Sequence, residues 1–352
     1  MNENISVSVI VNNYNYACFL NEAIDSALNQ TYPHVEVIVV DDASTDNSRE
    51  AIASYGDRIV KVLRPVNGKQ AAALNDGFAI SQGEIIIFLD ADDYLFPQAI
   101  ERILEVWRAE TAKVHYRLQV VDAANQPLGY FYPPSTVPLA EGEVWPQLIE
   151  TGGYNSVPMS GNAYSRNILT KVFPIPEEYK LTADDYLNIS IPFYGKVEKI
   201  EQPIGAYRIH NSNQWALTEV SDSRFRRFVR HDMQSYALLV KKTNEFNVKI
   251  PQDLERRSVG RLWSRLASLR LNSEKHPVPG DNSLILMSWG IQALWKYSDH
   301  NLPKRLIYSI WFICVGMMPL QIAKLAITWL YAPHLRPQAI DLVLKKIRIL
   351  VS

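Results

Sequence analysis

The sequence predicts an α/β fold with a doubly wound, mostly parallel sheet, followed by a C-terminal helical region. In residues 1–95, short apolar and β-branched runs alternate with stretches of helical spacing, in the order β-α-β-α-β-α-β. From residue 221 onward, apolar residues recur at helical spacing, as Phe225, Val229 and Leu262 do. The 352 residues, 47% of them hydrophobic, are enough for one large domain or two.

Each element of the first part has its own signal. Strands are predicted at 6–11, 35–40, 58–63 and 84–89. Three helices are predicted: one at 19–30, one that begins after a cap at Ser44 or Thr45, and one at 69–80. In such an alternating fold, ligands bind outside the carboxyl ends of the strands.

Polar side chains follow three of the predicted strands: Asn12 and Tyr14, then Asp41 and Asp42, then Asp90 and Asp92. Tyrosine can stack on a flat base, and amides and carboxylates can bind its polar edge. Clustered carboxylates suit Mg²⁺ or Mn²⁺, which usually also holds substrate phosphates. The alternatives are an acidic turn that caps the next helix and a surface position for Tyr14. Neither G-x-G-x-x-G nor G-x-x-x-x-G-K-[ST] is present, so a Gly-rich phosphate cradle is not expected.

Several segments resemble the signature segments of family 2 glycosyltransferases. They are 7–15, 39–46 (VVDDASTD), 67–77 (NGKQAAALNDG), 83–93 (GEIIIFLDADD), 183–186 (ADDY) and 207–210 (YRIH). The resemblance covers about residues 5–215. It implies a GT-A fold, a nucleotide-sugar donor, a divalent metal (Mn²⁺ or Mg²⁺) at the D-x-D motif, and inversion at the anomeric carbon.

The resemblance also implies donor-binding roles for individual residues. Asp42 would bind the base, with Asn12 and Tyr14 around it, and Asp90 would contact the ribose. Lys69 lies where many members carry a basic residue near the diphosphate. The family's frequent Arg before the helix Asn is absent at 73–75 (ALN), which gives Lys69 more of the phosphate contact.

The same resemblance implies the metal ligands and the base. Asp90 and Asp92 would bind the metal, and His210 would touch the metal or the diphosphate. Asp185 would be the general base that takes the proton of the attacking hydroxyl. Asp184 replaces the commoner Glu, so which carboxylate of this catalytic pair is the base stays open. The residues alone also allow a helix cap at the pair and a loop histidine at His210.

The implied function is transfer of a sugar, most commonly from a uridine diphosphate donor in this family, to a hydroxyl of a glycan or lipid-linked acceptor. The irregular, Pro-rich stretch at 130–135 and the Gly-rich loop at 152–155 are expected to select the acceptor, with 211–215 as a lid. A signalling receiver, suggested by Asp41 and Asp42 at a strand end, and a non-catalytic nucleotide-sugar-binding protein are the alternatives.

The expected domains are a catalytic domain at 1–220, a helical domain at 221–303 that packs or oligomerises, and an apolar, basic tail at 304–352. The tail has seven Lys/Arg and one acidic residue, Asp341, whereas the preceding part carries 29 Lys/Arg and 36 Asp/Glu. Residues 306–323 lack charge but include a proline. We expect the tail to tether the protein to the inner face of the cell membrane, with a packed helical hairpin and a true span as alternatives.

The composition excludes some classes. The net charge of −1 gives no general attraction to nucleic acid. Two cysteines cannot form a disulfide framework or a cysteine zinc site. No basic region precedes the first apolar run, so we expect a strand there rather than a signal peptide, and a cytoplasmic protein.

Overall fold

The computed structural model describes residues 5–210, 213 and 221–331. The chain divides into two compact units. The first contains residues 1–146 and 154–210, and the second contains 147–153 and 211–352. The predicted lid, apart from Asn213, and the tail beyond 331 lie outside the described residues.

The first unit is built on a nine-stranded sheet. Its strands are β1 (Val7–Asn13), β2 (Val35–Asp41), β3 (Val60–Leu63), β4 (Ile85–Asp90), β5 (Tyr94–Leu95), β6 (Thr111–Val121), β7 (Pro127–Tyr132), β8 (Asn162–Ser165) and β9 (Lys196–Arg208). Its helices are α1 (Ala17–Leu28), α2 (Ser48–Ser54), α3 (Lys69–Ile80), α4 (Ala99–Val106), α6 (Arg166–Leu169) and α7 (Ala183–Ser190), while α5 (Trp145–Thr151) crosses into the second unit.

The second unit is helical in its described part. Its helices are α8 (Asp222–Glu245), α9 (Val259–Leu271), α10 (Ser283–Lys296), α11 (Leu302–Met317) and α12 (Leu320–Tyr331). Single 3-10 turns lie at Gly56–Arg58, Met159–Gly161, Glu177–Tyr179, Ile191–Phe193 and Leu254–Arg256.

The sheet order is β3-β2-β1-β4-β8-β6-β9-β5, with β7 paired to β6. The strands β3, β2, β1 and β4 run parallel, and so do β6 and β9, whereas β8 is antiparallel to both of its neighbours. The α/β fold class is therefore confirmed, with the parallel pairing concentrated in the N-terminal half. In register, Asn12 stands between Val40 and Asp90. The residues at the ends of three strands thus meet at one edge.

The core of the first unit lies around the central strands. Ile85 through Leu89 of β4 are buried, as the continuous apolar run predicts for a strand covered on both faces. Each large side chain of this kind contributes about 1.5–3 kcal/mol to folding. The helix α1 packs against this core through Leu20 and Ile24, at helical spacing. This packing makes the site's edge of the sheet a rigid support.

The second unit has its own core, formed by α8 to α12. Phe225, Leu262 and Phe312 are fully buried in it. A Cβ on Gly290 would lie only 2.1 Å from the Phe312 ring, so α10 and α11 approach closely at a residue without a side chain. Within 5–331 as described, no helix is long and apolar enough to cross a membrane. The uncharged run at 306–323 is divided between α11 and α12 at Met318 and Pro319.

Two local predictions are wrong. Neither Ser44 nor Thr45 caps α2, since Asp46 Oδ1 accepts the Ser48 amide at 3.0 Å and Ser44 Oγ accepts from Asn13 Nδ2 at 3.1 Å. Residues 130–132, predicted to be irregular, belong to β7, because the long strand β6 offers a pairing edge and aromatic residues suit a strand.

Candidate active site

The edge of the sheet joins two polar strand ends directly. Asn12 Nδ2, at the end of β1, donates to Asp90 Oδ1 at 2.8 Å. Gln70 Nε2, in the first turn of α3, is 3.4 Å from the same oxygen. The Asp90 amide donates to Ser160 Oγ at 3.1 Å. These contacts orient the Asp90 carboxylate through neighbours that lie far apart in the sequence.

Three carboxylates crowd the turn after β4. Asp92 and Asp93 are nearly buried, and Asp90 is half-buried. Burial, and then the Asp92 charge, raise the pKa of Asp90 to about 6, although hydrogen bonds from Asn12 and Gln70 oppose the shift. Burial also raises the pKa of Asp93 well above its usual range. The turn therefore concentrates negative charge that a cation would relieve.

His210 faces this turn just after β9. Its Nε2 lies 3.0 Å from Asp92 Oδ2, and its side chain is only 6% exposed. The ring is packed against Phe19 at a centroid distance of 4.9 Å and edge-on to Tyr16 at 5.4 Å. The aromatic pocket fixes the imidazole beside the Asp92 carboxylate.

Arg208 binds the acidic turn through both its backbone and its side chain, and these contacts form a clamp. Its backbone N donates to Asp93 Oδ1 at 2.9 Å, and its Nε donates to the Asp92 carbonyl at 2.8 Å. The guanidinium also donates to Glu22 Oε2 at 2.6 Å and to Asn125, and it is almost completely buried. No role was predicted for Arg208, although the YRIH segment contains it.

We expect Arg208→Leu to destabilise the fold by about 3 kcal/mol, because it leaves buried acceptors without a donor. Urea unfolding followed by circular dichroism measures the loss. The control is Arg102→Leu, whose side chain is 55% exposed beside Glu105 and which should change stability by about 0.5 kcal/mol or less. Equal, small losses in the two variants would contradict the clamp.

The loop before α3 is organised by Asp42. Its Oδ1 accepts the Gly68 amide at 2.8 Å and its Oδ2 accepts the Lys69 amide at 2.7 Å, while Arg64 Nε lies 3.1 Å away. Lys69 has a φ of +69°, a strained value for a residue with a side chain. Its ammonium lies 5.6 Å from the ring centroid of Tyr14, which is 42% exposed. The structure thus groups three of the predicted donor-binding residues at one loop.

Asp41, the preceding carboxylate, has a different environment. It is fully buried, accepts from Asn13 Nδ2 at 2.9 Å and from Arg49 Nε at 2.9 Å, and also accepts the Ser44 amide at 3.1 Å. These bonds bind the strand end to the turn that leads into α2. Asp41 therefore shapes the site's rim through the backbone.

The acidic pair begins α7. Asp184 and Asp185 are half-buried in the first turn, where the helix dipole favours negative charge. Asp184 Oδ1 accepts the Asp185 amide at 2.9 Å. Burial raises the pKa of Tyr164 well above its usual range, and the charges of Asp184 and Asp90 raise it further.

The donor set fits a divalent ion. Carboxylate oxygens and an imidazole nitrogen are the ligand types that Mn²⁺ accepts, and Asp92 and His210 are already in contact. Among the described residues, no three His, Cys, Asp or Glu side chains are arranged as a metal cage. Mg²⁺ commonly binds to one or two carboxylates and completes its shell with water and phosphate oxygens. Asp90, Asp92 and His210 could supply such a partial shell.

Beyond Arg208, the structure adds Ser160 and Gln70, which hold the backbone and the carboxylate of Asp90. Gln70 lies inside the 67–77 segment, so its position next to Lys69 was a usable signal. Ser160 belongs to a 3-10 turn that is distant in sequence, and no sequence pattern predicts its contact with the Asp90 amide.

Comparison with known proteins gives consistent results. The family description "Glycosyl transferase family 2" matches residues 8–138. An uncharacterized glycosyltransferase of Nostoc sp. is 35% identical over 215 residues, which cover 59% of this chain and 66% of that protein. The matched region spans only 23% of another uncharacterized glycosyltransferase, from Rickettsia conorii.

Solved structures share the fold. TarS 1-349 of S. aureus, in complex with UDP-GlcNAc, is 16% identical and superposes with a TM-score of 0.52, covering 92% of this chain and 91% of that chain. The mannosyltransferase PcManGT of Pyrobaculum calidifontis, in complex with GDP-Man and Mn²⁺, is 19% identical with a TM-score of 0.52, covering 93% and 85%. At this identity the likeness supports the GT-A fold alone.

Proposed function

Because this chain belongs to glycosyltransferase family 2, we propose that it transfers a sugar from a nucleotide-diphosphate donor to an acceptor hydroxyl, with inversion at the anomeric carbon. The observation that carries the proposal is the cluster at the sheet edge, where Asn12 bonds to Asp90 and His210 to Asp92. These residues lie at or just after the ends of β1, β4 and β9, and their side chains converge where open α/β sheets bind ligands.

The donor occupies the edge formed by β1, β2 and α3 in this proposal. Tyr14 offers an exposed ring on which a base can stack. Lys69 connects this ring to Asp42, because its amide donates to the Asp42 carboxylate and its ammonium lies over the Tyr14 ring. The Lys69 ammonium supplies positive charge for the diphosphate. Asp90, held by Asn12, would accept hydrogen bonds from the ribose hydroxyls. UDP-GlcNAc and GDP-Man, bound by two structures of the same fold, are the first donors to test.

The transfer step is a single displacement. The oxygen of the acceptor hydroxyl attacks the anomeric carbon, and Asp185 takes the proton of that hydroxyl. At the same time the bond from the anomeric carbon to the diphosphate oxygen breaks. Asp184 accepts the Asp185 amide and so fixes the first turn of α7. A Mn²⁺ or Mg²⁺ ion, held by Asp90, Asp92 and His210, would stabilise the charge of the leaving diphosphate as a Lewis acid.

A thermal-shift panel tests the donor assignment. The full chain is titrated with UDP-GlcNAc, GDP-Man and other nucleotide sugars, with Mn²⁺ and with EDTA. We expect one nucleotide class to raise the melting temperature in Mn²⁺, since a ligand that binds only the native state stabilises it. No stabilisation by any nucleotide sugar or free nucleoside diphosphate would contradict the proposed site. The acceptor, a glycan or lipid-linked hydroxyl, follows from product analysis with the donor that binds.

We also propose that the second unit contacts an anionic membrane surface. Leu302, Leu306, Ile310, Ile313 and Met317 are exposed at spacings of three and four residues, so they share one face of α11. This row is the apolar face. The chain from residue 304 onward carries seven Lys/Arg and one acidic residue. An apolar helix face together with basic residues suits anionic lipid headgroups.

Flotation with vesicles tests this contact. We expect the full chain to float with phosphatidylglycerol-containing vesicles at low salt, and less at 1 M salt, where the Debye length is about 3 Å. The triple variant Leu306→Ser/Ile310→Ser/Ile313→Ser should lose flotation. The control variant Val60→Ser/Ile80→Ser changes exposed apolar residues of the first unit and should float normally. A full chain that does not float, or that instead forms a dimer which the triple variant abolishes, would overturn the proposal.

A further inference from the structure

The first unit buries a lysine beneath the acidic pair. Lys113 lies in β6, opposite Tyr164 of β8, and its side chain is fully buried. Burying an ammonium costs several kcal/mol unless other groups bind and neutralise it. Neither the donor site nor the transfer step described above uses this residue, so its presence in the core needs a separate explanation.

The Lys113 ammonium is bound by side chains from two other segments of the chain. Its Nζ donates to Tyr154 Oη at 3.0 Å and to Asn188 Oδ1. It also lies over the rings of Tyr154 and Tyr164, at 5.4 and 5.8 Å from their centroids. Asn188 belongs to α7, one turn beyond Asp184 and Asp185. Residues three and four positions apart share a helix face, so this bond fixes the helix that bears the pair.

The charges around Lys113 also connect it to the acidic pair. Burial lowers the pKa of Lys113 to about 7, and the charge of Asp184 opposes that shift. The attraction between the Lys113 ammonium and the Asp184 carboxylate is mutual. The other titratable groups that face the ammonium are Tyr154, Tyr164 and His115. Burial and the Lys113 charge lower the pKa of His115 to about 3, and burial raises those of both tyrosines, so all three are neutral near pH 6.

We propose that Lys113 is a positioning residue for the proposed transfer: through Asn188 it holds the start of α7 in place, and its positive charge attracts the Asp184 carboxylate. This inference rests on the proposed function. Removing that charge takes away the attraction between Lys113 and the Asp184 carboxylate, so we expect the acid limb of the pH–rate profile to move to higher pH.

The experiment measures nucleoside diphosphate release from UDP-GlcNAc and GDP-Man across pH 4–9 in Mn²⁺. For Lys113→Met we expect the acid limb of kcat to move up by about one pH unit, with little change in the donor KM. Lys199→Met is the control, since Lys199 lies in β9 and pairs with Glu141 and Glu201, and its acid limb should stay in place. Lys113→Arg retains the charge and should keep the limb near the wild-type position.

A second variant tests the inference if Lys113→Met does not fold. Asn188→Asp has the same shape as the wild type but places a carboxylate on the ammonium, which offsets its charge, so the limb should again move up. If the wild type releases diphosphate and neither Lys113→Met nor Asn188→Asp moves the limb, this inference is wrong while the proposed function stands. If the wild type releases none from any donor that it binds, the proposed function fails and the inference fails with it.

Discussion

We expect the variant Asp92→Ala to lower metal-dependent donor cleavage by on the order of 10³-fold, one of the two largest effects that the site predicts. The carboxylate is the contact partner of His210 and lies within the acidic turn, so its loss removes a ligand and frees the imidazole. Lewis-acid stabilisation of the leaving diphosphate is worth several kcal/mol, and each 1.36 kcal/mol corresponds to tenfold in rate. Folding changes little, because one of three mutually repelling carboxylates is removed.

Diphosphate release in saturating donor, with Mn²⁺ titrated, measures this effect. Asp57→Ala provides the matched control, because Asp57 is an exposed residue of the 3-10 turn before β3 and should keep wild-type rates. Near wild-type turnover by Asp92→Ala in Mn²⁺ would show that the D-x-D assignment is wrong.

The second large effect concerns the base. We expect Asp185→Asn to keep donor affinity and to lose 10²–10⁴-fold, in order of magnitude, in kcat, since an amide cannot take the proton of the attacking hydroxyl. Asp184→Asn should cost less, because an amide oxygen can still accept the Asp185 amide as the Asp184 carboxylate does. Isothermal titration of the donor and single-turnover rates separate affinity from chemistry.

The ranking of the two variants decides the assignment of the pair. A larger loss in Asp184→Asn would move the base to Asp184, which the departure from the commoner Glu left open. Small, equal losses would mean that the pair only stabilises the N-terminus of α7, an effect of about 0.5–2 kcal/mol on folding.

The sequence was sufficient for the strands and helices that depend on local periodicity. The helix α3 begins at Lys69 and ends at Ile80 as predicted, and β4 follows the predicted run with a shift of one residue. The convergence of Asn12 with Asp90 also followed from parallel pairing, since adjacent parallel strands end at the same edge. These features need only a short window of sequence and one rule of topology.

Contacts between distant segments could not be predicted in this way. Lys113 meets Asn188 across 75 residues, and Arg208 meets Glu22 across 186. A lysine within a strand pattern is ordinarily taken as solvent-facing, and only the tertiary structure shows that the Lys113 ammonium is enclosed by two tyrosine rings. The strand β7 was missed for a related reason, because its pairing edge is supplied by β6.

The most direct test of the proposed function is whether the purified full chain releases nucleoside diphosphate from a nucleotide sugar in a divalent-metal-dependent way. UDP-GlcNAc and GDP-Man are incubated with wild type, Asp92→Ala and Asp57→Ala, each in Mn²⁺ and in EDTA. We expect release from at least one donor by wild type and Asp57→Ala in Mn²⁺, and its loss in EDTA and in Asp92→Ala. Release that is unchanged in EDTA and in Asp92→Ala, or no release of either diphosphate by the wild type, would contradict it.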